Sequence, residues 1–139
     1  WGSSAMSRRF FALAILALVA VFAIAACGSG DASGEPGAYT VEPAEAVAMI
    51  EEGERTIIDV RTPGEFDEAH VVGAVNIDVD GADFEDRIAE LDPDEPYLVY
   101  CRSGRRSDIA AQQMEAIGIK DIADAGGLPD LARAGAPVE

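Results

Sequence analysis

A chain of 139 residues, 49% of them hydrophobic, has room for one ordinary domain beside any targeting segment. Its formal charge of −16 argues against nucleic acid as a partner and against adhesion to anionic lipid head groups, because so acidic a surface repels both. Two cysteines are too few for a disulfide-built scaffold.

In chain order, Trp1 to Ala5 precede the expected start at Met6 and are set aside as added residues. Met6, Ser7, Arg8 and Arg9 lead into Phe10 to Ala26, seventeen residues without a charge. A short basic stretch, an apolar segment and small residues predict a secretory signal over residues 6–26. As a helix the run reaches about 25 Å, short of the roughly 30 Å hydrocarbon core, which favours export with cleavage over a retained spanning helix. Ile24, Ala25, Ala26 and Cys27 resemble the lipobox of bacterial lipoproteins. That resemblance implies lipidation of Cys27 as the mature N-terminus, with the domain anchored outside the cytoplasmic membrane of a bacterium. The competing expectation is an uncleaved anchor with an incidental cysteine. Removal of residues 1–26 leaves 8 basic against 26 acidic residues, a net charge of −18. If Cys27 is acylated, Cys101 is the one thiol left, and no internal disulfide can form.

Residues 27–38 form the next stretch, in which GSGDASGEPGA from Gly28 to Ala38 has no apolar periodicity and is expected to be a flexible tether. The domain is expected over residues 39–139. It starts with a strand at Tyr39 to Val41 and a helix from Pro43 to Glu52, with Pro43 suited to the first turn and Gly53 to the end. A strand follows at Thr56 to Val60, then a short helix from Pro63 to Ala69 and a strand from Ala74 to Ile77. Phe84, Ile88 and Leu91 share one face of a helix predicted over Asp83 to Leu91. Tyr97 to Tyr100 reads as a buried strand. Beyond Cys101, a helix is expected from Arg105 to Ile117, with Ala110, Met114 and Ile117 inward and Gly118 as terminator. Strands alternating with helices of these lengths predict an α/β domain, its mainly parallel sheet covered on both faces. In such sheets ligands bind beyond the carboxyl ends of the strands, where Cys101 falls.

The segment from Tyr97 to Ser107 is strand, tight loop, helix start, an order that gathers backbone N–H groups around the thiol. The first turn of a helix leaves its amides unpaired and adds roughly half a positive charge, which stabilises an anion there. Cys101 is therefore expected to ionise below the free thiol value of about 8.5, and Gly104 to permit the sharp turn. Arg102, Arg105 and Arg106 make this loop a cationic island on an acidic chain, within reach of a small dianion over about 8 Å at physiological salt.

The loop CRSGRRS resembles the active-site loop of rhodanese-type sulfurtransferases. Asp59-Val60-Arg61-Thr62-Pro63-Gly64-Glu65-Phe66, with Ala69-His70-Val71 and Ala74-Val75-Asn76-Ile77, is similar to that family's first signature, and Gly126-Gly127 to its closing turn. The resemblance covers roughly residues 39–128. It implies a rhodanese-like three-layer domain with a sheet of about five strands. It also implies a Cys101 nucleophile that takes sulfur from a donor and passes it, as a persulfide, to a thiol or cyanide acceptor. Arg102, Ser103, Gly104, Arg105 and Arg106 would bind the anionic donor, Arg106 lying deeper and suited to fixing the loop. An arginine-rich loop resembles the thiosulfate-using members. No metal or organic cofactor is implied. The chain departs from the family at Ala69, where glycine is usual, and at Leu128, where an aromatic residue often stands.

Asp59 and Arg61 end a strand near the site and are expected to support it by pairing with each other. His70 is expected to be a hydrogen-bonded structural residue. Two other readings of the loop remain at this point. A cysteine phosphatase or arsenate reductase also places a cysteine at a helix N-terminus, but with an arginine six positions on, where this chain has Ser107. A non-catalytic rhodanese-like binding module is the other, and such modules usually lack the cysteine. The oligomeric state is not legible.

Overall fold

The computed structural model describes residues 37–139. The expected signal over residues 6–26 and Cys27 lie outside the described residues. The elements run β1 (Gly37–Thr40), α1 (Pro43–Glu52), β2 (Thr56–Asp59), α2 (Pro63–Glu68), β3 (Val75–Asn76), α3 (Phe84–Ala89), β4 (Pro96–Cys101), α4 (Arg105–Ala116), β5 (Asp121–Gly127) and α5 (Leu128–Ala134).

All five strands pair in parallel in the order β1-β5-β4-β2-β3, so β4 is central and its carboxyl end is flanked by those of β5 and β2. Side chains alternate along β4, as the period of two requires. Tyr97, Val99 and Cys101 face a cluster that includes Phe84 and Ile88 of α3 and Ala110, Ala111 and Met114 of α4. Leu98 and Tyr100 face the other cluster, with Ala46 and Val47 of α1 and Leu128 and Leu131 of α5. Helices thus cover both sheet faces, as a parallel sheet demands. The short α2 buries no residue, and it follows β2 at the end of the sheet where Cys101 lies.

Several boundaries differ from those read in the sequence. β1 starts at Gly37, inside the expected tether, because Gly37 and Ala38 pair with Asp121 and Ile122 of β5. β5 itself does not show in the sequence pattern. Its residues DIADAGG are poor strand formers, yet the strand lies between β1 and β4 with five of its seven residues buried. Ile117 is not on the inward face of α4: the helix ends at Ala116, and Ile117 is 51% exposed. Among the described residues no helix is long and apolar enough to cross a membrane.

Candidate active site

Three strand ends build the site. Cys101 is the last residue of β4, and α4 starts four residues later at Arg105, so the chain reverses over Arg102, Ser103 and Gly104. Gly104 makes this turn with φ 96, a conformation that side chains disfavour. β5 approaches from one side through a bulge. Val99 pairs with Asp124 but Cys101 with Gly127, one extra residue on β5, and the Asp124 carboxylate caps the bulge by accepting the Gly126 amide at 3.0 Å. The bulge brings Gly127 against the loop so closely that a Cβ there would meet the Arg102 carbonyl oxygen at 2.4 Å.

Cys101 is fully buried, and its sulfur still has polar company. The Gly104 amide donates to Sγ at 2.9 Å, and Sγ lies 3.6 Å from the Ser107 hydroxyl, which in turn donates to the Gly104 carbonyl at 3.0 Å. The hydroxyl has a single proton, so on ionisation of the thiol it can turn from the carbonyl to the sulfur. Burial pushes the Cys101 thiol up, but the Ser107 hydroxyl and the amides of Ser107, Ser103 and Gly104 pull it down, and the balance falls below the ordinary value. This is the lowered ionisation expected of a helix N-terminus. Packing and anion stabilisation coexist at this residue: its backbone and Cβ belong to the core while its sulfur belongs to the loop.

The three loop arginines have different surroundings. Arg102 and Arg105 are exposed and form no ion pair among the described residues. Arg102 lines a cleft of about 210 Å³ with Arg61, Glu65, Glu68, Leu128 and Pro129. Arg105 lines another of about 410 Å³ with Asp80, Ser103, Arg106 and Ile109. Arg106, in contrast, is engaged by Glu65 of α2 through two contacts of 2.7 and 2.8 Å. That engagement suits the loop-fixing role expected of it more than direct donor binding.

Behind the loop, Asp59 and Arg61 form a buried pair through Nε at 2.9 Å and Nη2 at 2.6 Å. The Tyr100 hydroxyl donates to the same carboxylate at 2.8 Å and accepts the Val71 amide at 3.0 Å. Arg61 also donates to the Ala69 carbonyl at 2.6 Å, tying β2 to the segment after α2. Burial, first, and then the neighbouring carboxylate raise the Tyr100 phenol, although the Val71 amide opposes them. His70 Nδ1 donates to the Phe66 carbonyl at 2.8 Å, and its ring stacks on Phe66 at 3.8 Å, a structural placement. Ser107, Glu65 and Tyr100 were not legible as site residues. The Thr62-x-x-Glu65 capping box was a readable signal for α2, but nothing in it pointed to Arg106.

Fold and site together define a class: a parallel α/β domain whose central strand ends in a cysteine, with the amides of the following loop directed at its sulfur. Residues 42–132 match the rhodanese-like domain family, and the chain belongs to that family. It is 39% identical over 77 residues to the thiosulfate sulfurtransferase PspE of Escherichia coli, which covers 54% of this chain and 72% of that one. It is 32% identical over 99 residues to the thiosulfate sulfurtransferase GlpE of Pseudomonas syringae, covering 71% of this chain and 91% of the relative. Among solved structures, a rhodanese-related protein of Thermoplasma volcanium aligns with a TM-score of 0.63 at 25% identity, over 72% of this chain and 96% of that one.

Proposed function

We propose that this chain is a sulfurtransferase that moves a sulfane sulfur from thiosulfate or a related anionic donor to a thiol or cyanide, through a persulfide on Cys101. The Cys101 thiolate attacks the outer sulfur of the donor. The S–S bond of thiosulfate breaks, its electron pair leaves with sulfite, and Cys101 keeps the sulfur as a persulfide anion. A thiolate or cyanide then attacks the terminal sulfur, and the Cys101 thiolate departs. Sulfur changes hands with no external oxidant or reductant.

The observation that carries this reading is the 2.9 Å contact from the Gly104 amide to Sγ, in a loop whose other amides also lower the thiol. The terminal sulfur of a persulfide is an anion of the same kind, and the same donors suit it. Arg102 and Arg105, unpaired at the rim among the described residues, are the residues to which we assign donor binding. Because Cys101 has no exposed surface, entry of the donor requires rim side chains to move, and those of Arg102, Ser103 and Arg105 are all exposed. Ser107 stands where a phosphatase would place its phosphate-clamping arginine, and its hydroxyl faces the sulfur, which supports sulfur chemistry over phosphoryl chemistry.

The test is thiocyanate formation from thiosulfate and cyanide, paired with intact mass after thiosulfate alone. A gain of one sulfur, absent from Cys101→Ser, is expected. Turnover of an aryl phosphate with none of thiosulfate would reverse the assignment. From the sequence alone we also propose that the domain is exported and lipidated at Cys27. Radiolabelled palmitate that fails to appear on the chain in a bacterial host, or that persists in Cys27→Ala, would contradict this.

A further inference from the structure

Of the three guanidinium groups in the loop, one is already matched by a carboxylate. Glu65 Oε2 accepts Arg106 Nη1 at 2.7 Å, and Oε1 accepts Nη2 at 2.8 Å, a forked geometry that fixes both groups. The carboxylate is fixed from behind as well, where Oε2 also accepts the Thr62 amide at 3.2 Å and the Thr62 hydroxyl at 3.1 Å. The two side chains are 23% and 24% exposed, so water screens the pair only in part. Glu65 lines the Arg102 cleft and Arg106 the Arg105 cleft, so the pair links the two openings, and Arg106 lies within electrostatic reach of Cys101.

We propose that Glu65 is a positioning residue that sets the charge of the sulfur site. By neutralising Arg106 it limits the positive field on Cys101 and leaves anion binding to the separate clefts of Arg102 and Arg105. A limit of this kind has a chemical use, because the nucleophilicity of a thiolate falls as its pKa falls. An uncompensated third guanidinium would hold the sulfur more firmly as an anion and make it a slower attacker. Other charges face the loop too: Arg102 and Arg105 within it, Asp80 beside Arg106, and Glu68 beside Arg102. These stay constant when the pair alone is altered. Only the effect on donor binding rests on the sulfur-transfer reading; the effect on ionisation of the sulfur does not.

The test is the pH dependence of Cys101 alkylation by iodoacetamide, a neutral probe, together with KM for thiosulfate, in the full chain. Glu65→Gln is expected to lower the thiol pKa by about half a unit, a fraction of the shift an unscreened neighbouring charge produces, and to lower KM about threefold. Arg106→Gln is expected to shift both quantities by about the same amounts in the opposite direction, and the double variant to return both to near the wild-type values. If both single variants shift the thiol the same way, or only the melting temperature changes, the pair is merely structural and the proposal falls. A wild-type chain that takes no sulfur from thiosulfate would remove the proposed function, and the alkylation profiles would still decide the role of Glu65.

Discussion

Tyr100 and Cys101 are neighbours on β4, both weak acids, both without exposed surface, and they point to opposite faces of the sheet. Burial raises both, yet the phenol ends above its ordinary value and the thiol below. The difference lies in the partners. The Tyr100 hydroxyl donates to the Asp59 carboxylate, a contact that exists only while the phenol keeps its proton. The Cys101 sulfur accepts from the Gly104 amide at the start of α4, a contact that strengthens when the proton leaves. One strand thus carries a locked acid on the face that holds the fold and a loosened acid on the face that meets the loop.

The contrast breaks most completely at the sulfur. Cys101→Ser keeps nearly the same volume but replaces a readily ionised thiol with a hydroxyl, and sulfur transfer is expected to fall to background in a thiocyanate assay. Ser107→Ala sharpens the contrast, since it removes one donor and leaves the amides in place. Its thiol pKa is expected to rise, and turnover at neutral pH to drop about tenfold, as for loss of one charge-assisted hydrogen bond. Tyr100→Phe is the reciprocal change. It strips Asp59 of a donor and Val71 of its acceptor, so denaturation should show a loss of about 2 kcal/mol with the alkylation profile of Cys101 unmoved. The smallest effect is expected in acid. Arg106, foremost, and Thr62 hold the Glu65 carboxyl at about 2 against an ordinary 4.5, although burial opposes them. A folded-state value below the unfolded one means that the pair stabilises the domain fully above about 4.5 and loses this as pH falls toward 2. The difference in denaturation midpoint between wild type and Glu65→Gln should shrink across that interval.

Much of the layout was legible because local pattern and tertiary role agree. Tyr97 to Tyr100 is apolar as a doubly covered strand must be, and Phe84, Ile88, Ala110 and Met114 recur at helical spacing and are buried. The loop could be placed because its turn and its helix start are local features. β5 was hidden because its aspartates serve needs that lie elsewhere in the chain. Asp121 pairs with Arg55, and Asp124 caps the bulge that sets Gly127 under the loop. Glu65 and Arg106 lie 41 positions apart, and no periodicity connects them. Ile117 fitted the spacing of its helix, but the turn at Gly118 ends α4 before that position can face inward.

The most direct test is titration of the wild-type Cys101 thiol, read as its alkylation rate from pH 5 to 10. A midpoint clearly below the free thiol value of about 8.5 is what a sulfur ringed by amides should give. A midpoint at or above that value would mean that burial outweighs the loop, and that Cys101 is core rather than chemistry.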